Sequence, residues 1–77
     1  MRSYHKITVE FTVNGITLGH DIESWREHGH SSVYSGGFPL FDGSSVEAAR
    51  VIQAEKERLI GVAKQYGAAY EVKEVRA

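Results

Sequence analysis

The 77-residue sequence predicts an α+β fold: a small, mainly antiparallel sheet with one long helix packed on one face. Three observations carry this. "ITVEFTV", Ile7 to Val13, alternates apolar and polar residues as a half-buried strand does. Asn14-Gly15 follows at once, and this dipeptide is the strongest short hairpin signal because both central positions of a type I′ turn need positive φ. Later, "GSSVEAARVIQAEKERLIGVAKQYG" repeats apolar residues at helical spacing behind a capping signal. The predicted order is β-β-β-α-β, a single domain over residues 1–77, with no repeats or linkers.

The second strand is "ITLGHDIES". A two-residue turn fixes register, so Val13 faces Ile16, Phe11 faces Leu18, Val9 faces His20 and Ile7 faces Ile22. The apolar faces coincide. His20 therefore falls on the core side, whereas Asp21, Glu23 and Trp25 fall on the other.

His30 to Gly43, "HSSVYSGGFPLFDG", reads as one irregular third strand, bent or bulged at Gly36-Gly37 and placed at a sheet edge where Pro39 is tolerated. The helix runs from about Ser45 to Tyr66. Ser44 and Glu47 form its capping box and Gly67 its C-terminal stop. Ala49, Ile52, Leu59, Ile60, Ala63 and Tyr66 are the expected buried stripe, and Gly61 inside it suggests close packing on the sheet. "AAYEVKEVRA" supplies the last strand, Ala69 to Val75.

Composition narrows the function classes. Nine Lys and Arg against ten Asp and Glu leave a net charge of −1, without the basic excess that phosphate contacts require of a dedicated nucleic-acid binder. There is no cysteine, hence no disulfide, no thiolate catalysis and no Cys-based zinc site. No apolar run approaches a membrane span, and the amino terminus alternates rather than forming a signal peptide. Cytoplasmic residence is the default expectation, with no cofactor.

The residues offer several chemistries. His20, His28 and His30, with Asp21, Glu23 and Glu27 nearby, offer metal ligands, but H-x7-H-x-H is no established pattern and His20 points to the core. Serines, histidines and acids are present, yet no serine lies in a nucleophile elbow. "SGGFPLFDGSS" leads into a helix N-terminus, which favours anions, but it lacks the P-loop lysine and carries Asp42 and Glu47. Arg2, His5, Lys6 and Arg26 on one side, or Lys64, Lys73 and Arg76 on another, with Tyr4 and Tyr34 for stacking, would serve nucleic acid. Acidic residues are interleaved with almost all of these bases.

The stretch "ESWREHGHSS" stands apart, because it holds the single tryptophan. Trp, Tyr and Arg are the residues that most often anchor binding hot spots. Trp25, Arg26 and Tyr34, ringed by Asp21, Glu23 and Glu27, are the predicted partner-binding residues. In the alternative reading Trp25 folds back and plugs the open end of a small core.

Asp42-Gly43-Ser44-Ser45-Val46-Glu47-Ala48-Ala49 resembles the "G-D-[ST]-x-E-E-A" helix opening of the HicB antitoxins, with Asp and Gly in reversed order and without that family's "P-D-[LF]-P-G" segment upstream. The resemblance runs through "GFPLFDGSSVEAARVIQAEKERL", about a third of the chain, and it implies a β-β-β-α-β domain of an antitoxin regulator. The residues themselves predict a non-catalytic protein-binding module, a small regulator or inhibitor that docks on a larger protein. Phage or mobile-element inhibitors of the anti-CRISPR kind share this format: short, cysteine-free, near-neutral and without enzyme motifs. The target would be a protein, of the sort found in a nucleic-acid-binding complex. A nucleic-acid-associated or HicB-like regulator is the second expectation. A homodimer through exposed sheet edges is compatible with both.

Overall fold

The computed structural model describes residues 2–77. The chain forms β1 (Ser3–Val13), β2 (Ile16–Glu27), β3 (His30–Ser35), β4 (Phe38–Ser44), α1 (Ser45–Gln65) and β5 (Ala69–Arg76). The strands make one five-stranded sheet in the order β4-β3-β2-β1-β5, and every neighbouring pair is antiparallel. The α+β class read from the sequence is the observed one.

The first hairpin has the register that its turn dictates: Val13 pairs with Ile16, Val9 with His20 and Ile7 with Ile22. The expected single third strand is instead two strands, β3 and β4, which form the third hairpin. Ser35 pairs with Phe38 across Gly36-Gly37, whose φ values are +58° and +85°. The irregularity lies one step further on, where the register shifts between Val33 and Tyr34, so that Val33 faces Phe41 and Tyr34 faces Pro39. Leu40 is the extra residue of this bulge. All three turns, Asn14-Gly15, His28-Gly29 and Gly36-Gly37, hold both residues at positive φ, the type I′ geometry that matches strand twist.

The helix packs on the face that carries Ile7, Val9, Ile22 and Val33. These residues, with Ala48 and Leu59 from α1, form the buried core, and Phe11, Phe41, Ile52 and Val72 close its margin. Full burial of Ile7, Val9, Ile22, Val33 and Leu59 contributes about 1.5–3 kcal/mol for each. Ser44 caps the helix by accepting from the Glu47 N–H at 3.2 Å. Ser45 is anchored twice, by its N–H to the Gly29 carbonyl at 2.9 Å and by its hydroxyl to Ser31 at 2.8 Å. Tyr66 forms the C-cap and Gly67, at φ +66°, ends the helix.

The buried stripe of α1 is Ala48, Glu55, Leu59 and Ala63, with Ile52 beside it, whereas Ala49 and Tyr66 are exposed. The helix is thus rotated from its purely apolar stripe to bring Glu55 inward. Gly61 is exposed, and a Cβ there meets no atom within 4 Å, so close packing is not its reason. No helix among the described residues is long and apolar enough to cross a membrane.

Candidate functional site

Strand alternation sorts every side chain of the sheet to one of two faces. Because Ile22 and Ser24 point toward α1, Asp21, Glu23, Trp25 and Glu27 point away from it. The same parity places Tyr4, Lys6, Thr8 and Glu10 of β1, and Ser32 and Tyr34 of β3, on this open face.

Trp25 lies on this face near the end of β2. Tyr4 is its direct cross-strand neighbour, and Tyr34 lies diagonally across on β3. The Tyr4 and Trp25 rings are 5.0 Å apart and tilted by 48°, and Trp25 meets Tyr34 edge-on at 5.6 Å. Both geometries are favoured by the ring quadrupoles and add about 0.5–1.5 kcal/mol per pair beyond burial. The Arg2 guanidinium lies over the Trp25 ring, 5.7 Å from its centroid. All three aromatic residues are half-buried, although no helix covers them. Trp25 and Tyr34 line a shallow depression of about 300 Å3 with Arg2, Glu23, Ser32 and Gly37.

Carboxylates surround the cluster. Tyr4 donates its hydroxyl to Glu23 Oε2 at 2.6 Å. That hydrogen bond, then burial and the charges of Glu23 and Asp21, push the Tyr4 phenol up to about 12. Thr8 donates to Asp21 Oδ1 at 2.6 Å, which fixes this carboxylate on the same face. Glu27 ends β2 opposite His30, whose ring pairs with Asp42. Lys73 reaches Glu10 at 3.1 Å. The open face therefore carries Glu10, Asp21, Glu23, Glu27, Asp42 and Glu71 against Arg2, Lys6 and Lys73. Its charge is negative, as the whole chain's near-neutral sum does not reveal.

Of the residues singled out from the sequence, Asp21, Glu23, Trp25, Glu27 and Tyr34 share this face. Arg26 does not. It pairs with Ser3 and Ser31 in the register, points to the helix side and lines a cleft of about 570 Å3 with Lys56, Glu74 and Arg76. Trp25 is not a plug for the core, because it lies on the face opposite Ile22. Tyr4 and Arg2 were missed as members of the group. The signal was available: continuing the Val13–Ile16 register down the hairpin sets Tyr4 opposite Trp25.

The histidines are dispersed. His28 occupies a turn at φ +52°, and His30 is on the open face. His20 is on the helix face, where its Nε2 lies 2.8 Å from the Ser35 hydroxyl. That hydroxyl donates to Glu55 Oε2 at 2.5 Å, and Arg58 donates to both Glu55 oxygens at 2.7 and 2.9 Å. In a nucleophilic triad the imidazole stands between serine and acid; here the serine stands between imidazole and acid, and its proton is directed to the acid. Among the described residues no three His, Asp or Glu side chains are grouped to hold a metal ion.

Fold and face together define a small antiparallel α+β domain, sealed on one side by its helix and open on the other around an aromatic cluster in an acidic surround. Comparison of the chain with protein-family models, with curated proteins and with solved structures finds no match.

Proposed function

We propose that this chain is a non-catalytic binding module whose helix-free sheet face docks on a basic surface of a larger protein. The observation that carries the reading is the Tyr4–Trp25–Tyr34 cluster, held on the open face inside an excess of carboxylates. Interface anchors are typically aromatic side chains, rigid enough to bury a large area at low entropic cost. The acids would steer the encounter and select a cationic target. A surface of this sign repels phosphate, which favours a protein partner over nucleic acid in our reading. A small inhibitor of the phage or anti-CRISPR kind, covering a basic site on a nucleic-acid-handling protein, is the particular form we propose.

The test is affinity capture from host lysate after nuclease treatment, at low and high salt, with the parent chain and with Trp25→Ala/Glu27→Ala. A stoichiometric protein held by the parent, lost from the variant and weakened by salt, supports the reading, provided the variant keeps its circular dichroism spectrum. Recovery of nucleic acid alone sinks it. So does a protein partner that the variant retains in full. Trp25 is the only tryptophan, so its emission should shift when the purified partner is added.

A further inference from the structure

The sheet has two edges, and they differ. The β4 edge carries Pro39 and the bulge at Leu40, devices that blunt strand addition. The β5 edge carries neither. It is eight residues long and pairs with β1 without a register shift from Ala69 to Arg76.

The hydrogen-bond phase of β5 follows from its last contact. Tyr4 and Ala77 exchange both backbone bonds, at 3.0 and 2.9 Å. By alternation, Val75, Lys73, Glu71 and Ala69 direct their N–H and C=O groups to β1. Tyr70, Val72, Glu74 and Arg76 direct theirs outward, to no strand among the described residues.

The charges along β5 are unbalanced. Glu71 stands directly opposite Glu10 on β1, a like-charge pair of the kind that destabilises a sheet. One cation, Lys73, serves both, bonding Glu10 at 3.1 Å and held protonated by the hydrogen bond to Glu10, its charge, and that of Glu71.

We propose that two copies of this chain join β5 to β5, antiparallel, about a two-fold axis through Val72, so that their sheets become one. A two-fold perpendicular to the sheet keeps each face on its own side, so the axis must pass through a residue position. Centring on Glu71, Lys73 or Glu74 sets like charges face to face. Centring on Tyr70 or Val75 pairs only one end of the strand. Centring on Val72 sets Val72 against Val72, Glu71 against Lys73 of the second copy, and Tyr70 against its Glu74. The outward backbone groups of Tyr70, Val72 and Glu74 then bond their counterparts in phase. Main-chain bonds supply affinity here and the two Glu71–Lys73 pairs supply register.

The experiment is sedimentation equilibrium of the full chain over a range of concentrations. The parent should show the mass of two chains. Glu71→Lys and Lys73→Glu each create two repulsive pairs and should weaken association roughly tenfold or more. The double variant Glu71→Lys/Lys73→Glu restores attraction and should restore the dimer. Glu74→Pro removes an outward N–H, leaves the β1 ladder intact and should yield the mass of one chain. A parent that remains one chain at millimolar concentration overturns the proposal, as does a dimer indifferent to both single reversals or unrestored by the double. Trp25→Ala/Glu27→Ala should remain a dimer, which separates this proposal from the docking of the open face.

Discussion

Ser35 donates its hydroxyl to Glu55 across 2.5 Å, and this bond ties the middle of the helix to the sheet. Glu55 is buried, yet Arg58 from the next turn grips both its oxygens, and Ser35 adds a further donor. These hydrogen bonds outweigh burial and hold the carboxyl at about 2 rather than 4.5. Its folded value is depressed, so its contribution is present above 4.5 and is lost as pH falls from there toward 2. Glu55→Gln should lower stability at neutral pH by about 1–2 kcal/mol, since the exposed Arg58 stays hydrated when its partner is neutral. The parent and the variant should converge on acidification. Urea melts at several pH values measure this, and a difference that is constant across the window would refute it.

Gly36 and Gly37 make one turn but should differ in tolerance. Both have positive φ, so alanine strains either by about 1 kcal/mol. A Cβ at Gly36 would also lie 2.7 Å from His20 Cε1, whereas one at Gly37 meets nothing. Gly36→Ala should therefore cost about 1–3 kcal/mol more than Gly37→Ala, as the His20–Ser35 contact is displaced. Thermal melts of the two variants decide it, and equal costs would show that the imidazole moves aside freely.

The phenol of Tyr4 should ionise well above the ordinary tyrosine value of 10, near pH 12. Glu23→Gln removes the main cause, the carboxylate acceptor, and should bring this ionisation down toward 10. An ultraviolet absorbance titration reads the change directly. An unchanged curve would mean that Glu23 does not hold the Tyr4 hydroxyl in solution.

Gly61 lies exposed in the interior of α1 with open space around its Cα. Gly61→Ala should stabilise the domain by about 0.5–1 kcal/mol, through helix propensity and the smaller freedom of the unfolded chain. A loss of stability would reveal a constraint on this position that the packing does not contain. A gain with loss of partner binding would assign the glycine to an interface.

How much of this was readable beforehand depended on whether the signal was local. The first hairpin was fully legible, because alternation and Asn14-Gly15 act within a few residues and agree. The second, His28-Gly29, was hidden by a histidine in a position more often held by asparagine. The third was obscured by its own bulge. Leu40 shifts the phase of β4 by one, so Phe38, Pro39 and Phe41 show no period of two. Helical periodicity counted apolar residues alone and passed over Glu55, whose place in the core depends on Ser35 and Arg58, one of them on a distant strand. The aromatic cluster is the instructive case. Tyr4 and Trp25 lie far apart in sequence, but the hairpin register that was already fixed joins them, and only its last rungs had not been followed.

The strand order has a kinetic consequence. β1 to β4 are consecutive neighbours joined by two-residue turns, so their pairing closes only short loops and can proceed by zipping from each turn. The β1–β5 ladder is different: even its nearest rung, Thr12 with Ala69, spans most of the chain, so this pairing carries a far larger closure entropy than any of the hairpins. The slow event in folding should thus be the arrival of α1 and β5 on a preformed meander. Until that moment the long, regular β1 is itself a free edge, and its sequence Ile7-Thr8-Val9-Glu10-Phe11 is rich in β-forming residues. The carboxylate at position 10 and the lysine at position 6 are what that nascent edge has to discourage premature pairing with another chain.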